Sequence, residues 1–448
     1  MPLLTVSVIA SVLLMVALLL RSIIWTRRFL AALPTGSSAS PEAETDLPRA
    51  VVVLPVRGKD PFLARCIETL LEQNYPNYIL RIIVDSDSDP AVPVIEQAVN
   101  QYSVDRVEVE YLQAALQTCG AKNSALIQVV ESLEPEDTAI VVVDSDVIAY
   151  PEWLTDLMRP LQEANVGVAT GMRWYTPETS ELGTLVRYVW NVGSVPEMFA
   201  FHVPFGGSVA YRRDVLEGGL AKRWSQCLFD DCVVPSVLKP LGLELRVVPQ
   251  AILANRESIS LGRCFEFLRR QMLNATCYNP AGHWILISAL AMATSVFGTA
   301  ALLLISTLQT DVVTMAIAGA GLVGFAAGMA GCLVALETRL RPILRANGQS
   351  VPLLPVKTAL VGGLAVLMYT AATVAACFVR RVTWRGLLRS YQPRPVSPGR
   401  ASAIHCRESS RRTRVRLTAR WKMCHWANCA TGQIVPLALP AESVAWLD

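Results

Sequence analysis

Residues 139–146 read Ala-Ile-Val-Val-Val-Asp-Ser-Asp, a β-branched apolar run that stops abruptly at two carboxylates. A run with no polar side fits a strand covered on both faces of a sheet. Ligands of open α/β sheets bind beyond the carboxyl ends of such strands. Asp144 and Asp146 flank one residue there, so both can reach a shared divalent cation. Mg²⁺ commonly takes one or two protein carboxylates plus phosphate oxygens of its substrate. A solvated Asp-Ser-Asp turn is the competing reading, because turns favour these residues. Two more acidic clusters nearby weigh against it.

The surrounding chain alternates between two periods. Apolar strand patterns fall at 51–56, 79–84, 106–112, 139–143 and 243–248, and helical spacing at 62–73, 92–102, 122–133 and 233–241. Strands and helices in that order predict a doubly wound, mostly parallel α/β sheet over residues 49–255. No GxGxxG follows the first strand and no GxxxxGK[ST] occurs, which argues against dinucleotide and P-loop chemistry.

The chain is 52% hydrophobic, more than a soluble enzyme needs, and the excess is concentrated in blocks. Residues 3–25 are long enough to cross a bilayer. Arg21, Arg27 and Arg28 come at or after the end of this run, so an uncleaved anchor (1–28) with its C-terminal end inside is expected. Residues 29–48, rich in Pro, Ser, Ala and acid, form an expected linker. Further apolar runs at 284–305, 312–336 and 359–379 give three expected transmembrane helices within 284–380, the second rich in Gly and Ala for close packing in lipid. With the α/β region inside, that count leaves the C-terminus outside. Twelve arginines between 380 and 420 argue for inside, a conflict that one re-entrant segment would remove.

Between these regions, residues 256–283 alternate Leu261, Phe265, Leu268 and Met272 with Arg263, Arg269 and Arg270. That profile suits a helix lying in the membrane interface, or one packed on the α/β domain with solvated arginines. Residues 192–211 are apolar enough to line a lipid groove or to be core. The tail 381–448 is basic, with His405, Cys406, Cys424, His425 and Cys429 at spacings unlike common zinc sites. The 11 cysteines are scattered through a long chain and are expected to be reduced thiols.

Three acidic clusters carry the candidate chemistry. Asp85 and Asp87 follow the strand at 79–84, Asp144 and Asp146 follow 139–143, and Asp230-Asp231 precede the helix at 233–241. Each has a bland alternative as a loop or helix cap. Lys122 opens a helix after Gly120 and offers a cation to phosphates, or is an ordinary surface lysine. Gly206 and Gly207 would let backbone pass close to a ligand.

The order VDSDSDP, GAKN, VVVDSDV, FGGS, FDDC and then an arginine-rich segment before membrane spans resembles the membrane-bound family 2 glycosyltransferases, most of all the ceramide glucosyltransferase type. The resemblance covers about residues 3–391. It implies a GT-A-like sheet with transmembrane α-helices, an inverting sugar transfer from a UDP-sugar to a membrane lipid hydroxyl, and Mg²⁺ or Mn²⁺ as cofactor. Asp85 or Asp87 would contact the uracil or ribose, Asp144 the nucleotide, and Asp146 the metal bridging the diphosphate. Asp231, with Asp230 beside it, would be the general base, and Arg270 would steady the leaving diphosphate. The family's (Q/R)xxRW motif departs here, with Phe267 in place of Gln or Arg and Gln271 in place of Trp. A cytoplasmic catalytic domain on an integral membrane protein is expected, with the bilayer and no nucleic acid as partner. The rival readings are a processive polysaccharide synthase, a non-catalytic binding protein of the same fold, and a nucleotidyltransferase.

Overall fold

The valine-rich run forms strand β4 (Asp137–Val143), whose last five residues are buried. The computed structural model describes residues 2–33, 47–102, 106–279, 282–349, 351 and 356–379, with backbone stretches at 381–384, 387–390, 422–424 and 436–438. The expected linker lies mainly in 34–46, outside the described residues, as do His405, Cys406, His425 and Cys429.

In chain order the elements are α1 (Pro2–Ala32), β1 (Arg49–Val56), α2 (Leu63–Leu71), β2 (Tyr78–Val84), α3 (Val92–Asn100), β3 (Val107–Tyr111), α4 (Ala121–Glu131) and β4. There follow α5 (Trp153–Met158), β5 (Val166–Tyr175), α6 (Leu182–Ala200), β6 (Ser208–Arg212), the short α7 (Arg213–Val215) and α8 (Ala221–Trp224), α9 (Val234–Leu241) and β7 (Glu244–Asn255). Last come α10 (Leu261–Tyr278), α11 (Gly282–Leu308), α12 (Val312–Ala346) and α13 (Gly362–Cys377).

The seven strands make one mixed sheet in the order β3-β2-β1-β4-β6-β5-β7. Only β6 runs antiparallel to its neighbours. Alternate residues of the central strands feed different cores. Ala50, Val52 and Leu54 pack with α2 and α5 on one face, and Val51 and Val53 join α4 and α9 on the other. The sheet is thus the doubly wound, mostly parallel α/β arrangement expected.

Six elements had no counterpart among the expected strands and helices: α5, β5, α6, β6 and the short α7 and α8. β5 contains Gly167, Thr170, Gly171 and Arg173, which break an apolar run. β7 extends to Asn255, past the expected end at 248. Its Pro249 reads as a stop in sequence, but β7 is an edge strand, where proline is tolerated. The β5–β7 register shifts between Thr170/Val247 and Met172/Ile252, so the proline sits in a bulge. Residues 192–211 contribute to the core, with Val192 and Val195 buried.

Three described helices are long and apolar enough to cross a membrane: Leu3–Ala32, Gly282–Leu308 and Val312–Ala346. The first runs four residues past the expected boundary at 28. At 359–379, where a further span was expected, a 3₁₀ turn (Val356–Leu360) leads into the 16-residue α13. At about 1.5 Å per residue α13 reaches roughly 24 Å, short of a ~30 Å hydrocarbon core. Gly362 and Gly363 at its start offer little helix propensity to lengthen it.

α12 passes so close to α1 that a methyl group on Gly328 would fall 2.5 Å from Leu19. The C-terminal ends of these two helices enter the sheet's own core through Phe29 of α1, Leu33 just after it, and Leu336, Leu340 and Leu344 of α12. The apolar stripe of α10 is taken by protein: Cys264 and Leu268 share a cluster with Leu185 of α6 and Ala365 of α13. The eight cysteines between Cys66 and Cys377 are free.

Candidate active site

β1, β2 and β4 are mutually parallel, so Arg57, Asp85 and Asp144 emerge at one rim. β6 pairs Ser208 with Val143, which brings Gly206 and Gly207 to the same rim. The Asp144 amide donates to the Gly207 carbonyl at 3.3 Å.

Lys122, on the first turn of α4, ties the second and third acidic clusters together. Its Nζ lies 2.9 Å from Asp144 Oδ1 and 3.2 Å from Asp230 Oδ2, and donates to the Gly206 carbonyl at 3.0 Å. Arg173, near the end of β5, joins both members of the second cluster: Nη2 is 3.1 Å from Asp144 Oδ2 and 3.4 Å from Asp146 Oδ1. Asn255 at the end of β7 donates to the other Asp146 oxygen at 2.9 Å. Asp231 turns toward α10, where its Oδ1 accepts from Asn274 Nδ2 and the Cys232 amide, each at 2.6 Å.

Lys122, Asp144, Asp146 and Asp230 therefore form one charged network. Asp85 sits at the end of β2, two strands from β4, paired with Arg57 at the end of the intervening β1 at 2.8 Å. Asp87 is exposed, and the buried Asp89 caps the loop by accepting from the Gly58 and Ala91 amides. Arg270 stands 6.0 Å over the Phe267 ring, close enough for its charge to act on Asp144. Methyl groups on Gly206 and Gly207 would fall 2.9 Å from Asp230 Oδ2 and 2.5 Å from Asp144 Oδ2, so both glycines let the backbone approach the carboxylates of the rim closely.

The electrostatics divide the acids. Burial pushes Asp144 upward, but Lys122 and then Arg173 overcome it and hold its pKa at about 2. Burial dominates at Asp230, raising it to about 6 against the pull of Lys122. Lys122 and Arg173 are each disfavoured by burial, yet the surrounding carboxylates keep both pKa values above the ordinary range. One rim thus holds a firmly ionised carboxylate beside one that titrates near working pH.

Asp144 and Asp146 present hard oxygen donors of the kind Mg²⁺ or Mn²⁺ prefers. Among the described residues no group of three or more His, Cys, Asp or Glu could hold a metal. The protein supplies at most this pair, and substrate oxygens would have to complete the coordination. A two-carboxylate set completed by a diphosphate fits that requirement.

Sequence reasoning missed Arg57, Arg173, Asn255 and Asn274. Asn274 could have been found, since it lies one helical turn beyond Arg270 on the same face. Arg173 and Asn255 belong to strand ends that the sequence pattern did not show.

The profile of glycosyl transferase family 21 matches residues 4–395. A ceramide glucosyltransferase of Pyricularia oryzae is 38% identical over 60 residues, which are 13% of this chain and 12% of that relative. That of Candida albicans is 38% identical over 53 residues, 11% of this chain and 10% of the relative. Among solved structures, a mannosyltransferase from Pyrobaculum calidifontis in complex with GDP-Man and Mn²⁺ is similar at a TM-score of 0.45 and 14% identity, covering 83% of this chain and 99% of that one. A glucosyl-3-phosphoglycerate synthase from Mycobacterium tuberculosis is similar at a TM-score of 0.33 and 16% identity, covering 47% and 72%.

Proposed function

Taking as premise that the chain belongs to glycosyl transferase family 21, we propose that it transfers a sugar from a UDP-sugar to a hydroxyl of a membrane lipid, with inversion at the anomeric carbon. The observation that carries this reading is the joining of the second and third acidic clusters through Lys122 at a rim tied to membrane-associated helices. Asp231 is hydrogen-bonded to α10, and α10 packs on α11, one of the helices long enough to cross a bilayer. A base placed there meets an acceptor that lies in the membrane.

In the proposed reaction Asp231 takes the proton of the acceptor hydroxyl. Its Oδ1 is held by Asn274 and the Cys232 amide, which leaves Oδ2 to face the acceptor. The acceptor oxygen forms its bond to the anomeric carbon as the bond to the UDP oxygen breaks, and UDP leaves with the electron pair. Arg270 stabilises the charge that develops on the leaving diphosphate. Asp144 and Asp146 would hold Mg²⁺ or Mn²⁺, which would add Lewis-acid stabilisation of the same charge. Asp85 would meet the uridine, on the rim beside Arg57. Asp230 and Lys122 would fix the rim between donor and acceptor. The short identities to ceramide glucosyltransferases support a lipid of the ceramide kind as acceptor.

The proposed side of the membrane follows from charge. Arg27 and Arg28 on α1, and Arg339, Arg341 and Arg345 on α12, lie at the helix ends that enter the sheet's core. Such clusters stay on the cytoplasmic side, so the catalytic rim would face the cytoplasm.

Membranes containing the full chain, incubated with radiolabelled UDP-sugars, should pass label into extractable lipid with release of UDP, and Asp146→Ala should abolish transfer. If no label enters lipid with any donor offered, the reading is overturned, and a product of polymer length would favour a processive synthase.

A further inference from the structure

Asp144 and Asp146, the pair suited to a divalent cation, already share a cation. The Arg173 guanidinium contacts both, at 3.1 and 3.4 Å, from a side chain only 17% exposed. It is held from other directions too. Nη1 donates to the Tyr175 hydroxyl at 3.3 Å, and the guanidinium lies 4.5 Å over the Phe205 ring. Its backbone neighbour Trp174 is fully buried, so β5 fixes the point from which the arginine reaches.

The rim's own cations also answer most of its negative charge. Asp144, Asp146 and Asp230, when ionised, face Lys122 and Arg173 in contact, with Arg270 and Asp231 nearby. A bare divalent cation approaching this cluster finds at most two protein carboxylates, both already engaged. A nucleoside diphosphate changes both conditions, because it brings anionic oxygens that can pair with a guanidinium in bidentate fashion.

We propose that Arg173 is the resident cation of the donor site: it occupies Asp144 and Asp146 in the donor-free enzyme and gives them up to a divalent metal only when a nucleoside diphosphate arrives to pair with the guanidinium. Metal and nucleotide then bind as one unit, and Arg173 becomes a donor-diphosphate contact. The inference rests on the reading above in which Asp144 and Asp146 hold the metal.

The test uses the purified full chain in detergent, with Mn²⁺ binding followed by the electron paramagnetic resonance signal of free Mn²⁺, with and without UDP. Wild type should bind Mn²⁺ weakly alone and at least about tenfold more tightly with UDP, as removal of one charge contact at this range allows. Arg173→Gln and Arg173→Met should each tighten nucleotide-free Mn²⁺ binding by about tenfold and shrink the gain from UDP. Arg173→Lys, which keeps the charge, should stay near wild type without nucleotide. Thermal unfolding midpoints identify which variants retain the fold, and the UDP dependence of wild type stands as a test without any variant. Wild-type binding that is equally tight without UDP, or neutral variants that bind no better than wild type, overturns the inference and leaves the metal reading intact. Wild type that binds no Mn²⁺ even with UDP overturns the metal reading, and this inference with it.

Discussion

Asp230 and Asp231 are neighbours in sequence, yet they face different partners. Asp230 is buried against Lys122 with its pKa raised to about 6. Below that pH it takes a proton and the ion pair to Lys122 is lost, so kcat/KM should fall as pH drops through about 6. Lys122 pulls this pKa down, so Lys122→Met should move the acid limb of the pH profile to higher pH, and an unmoved limb would assign it to another group. The effect on stability has the opposite sign. A carboxyl whose folded pKa is raised favours the folded state at low pH, and that contribution is lost as pH rises through about 6. Asp231 depends on geometry instead. Asn274 is 5% exposed, and its amide nitrogen fixes one Asp231 oxygen while its own Oδ1 is buried without a hydrogen-bond partner. Asn274→Ala should lower kcat by roughly 10- to 100-fold, the cost of a misplaced base, with little change in donor KM. An equal loss in donor affinity would mean that Asn274 serves the donor side.

At the scale of elements, the contact that ties the membrane helices to the site is made by Glu337 of α12. One of its oxygens accepts from Trp174 Nε1 at 2.9 Å and from the Tyr188 hydroxyl at 2.7 Å, and the other from Arg341. Trp174 adjoins Arg173, so the carboxylate fixes the strand that carries the rim's resident cation. Glu337→Ala would leave buried donors unpaired and should cost about 3–5 kcal/mol, read as a lowered unfolding midpoint, with Glu337→Gln intermediate. An unchanged midpoint would show that this network adds nothing to docking. The same strand shows where the sequence stopped being informative. β1, β2 and β4 were legible because Val51–Leu54, Ile82–Val84 and Ile140–Val143 are apolar on both faces, and the acidic ends of β2 and β4 came with them. β5 alternates core residues with Gly167, Gly171 and Arg173, and Pro249 hides the end of β7. The carboxylates of the site were therefore readable from local pattern. Their partners Arg173 and Asn255 depend on strand pairing across long sequence separations, which local pattern does not carry.

At the scale of the whole molecule, the membrane helices and the sheet share one core. Phe29 from α1, Leu33 just after it, and Leu336, Leu340 and Leu344 from α12 are all buried within it. Each such side chain contributes about 1.5–3 kcal/mol on burial, so the five together contribute roughly 8–15 kcal/mol. That equals the whole stability of a typical domain, about 5–15 kcal/mol. Residues 47–260 alone begin at a domain-like boundary and contain every strand of the main sheet, so the sequence pattern would suggest that they fold by themselves. The shared core argues otherwise. Without α1 and α12, one face of the sheet loses its cover and presents a contiguous apolar patch of the kind that drives association. Expressed alone, residues 47–260 should elute as aggregate and show no cooperative unfolding, while the full chain in detergent unfolds cooperatively. A soluble fragment with a cooperative transition near that of the full chain would show that the sheet closes its own core, and that the membrane helices position the rim without holding the fold together.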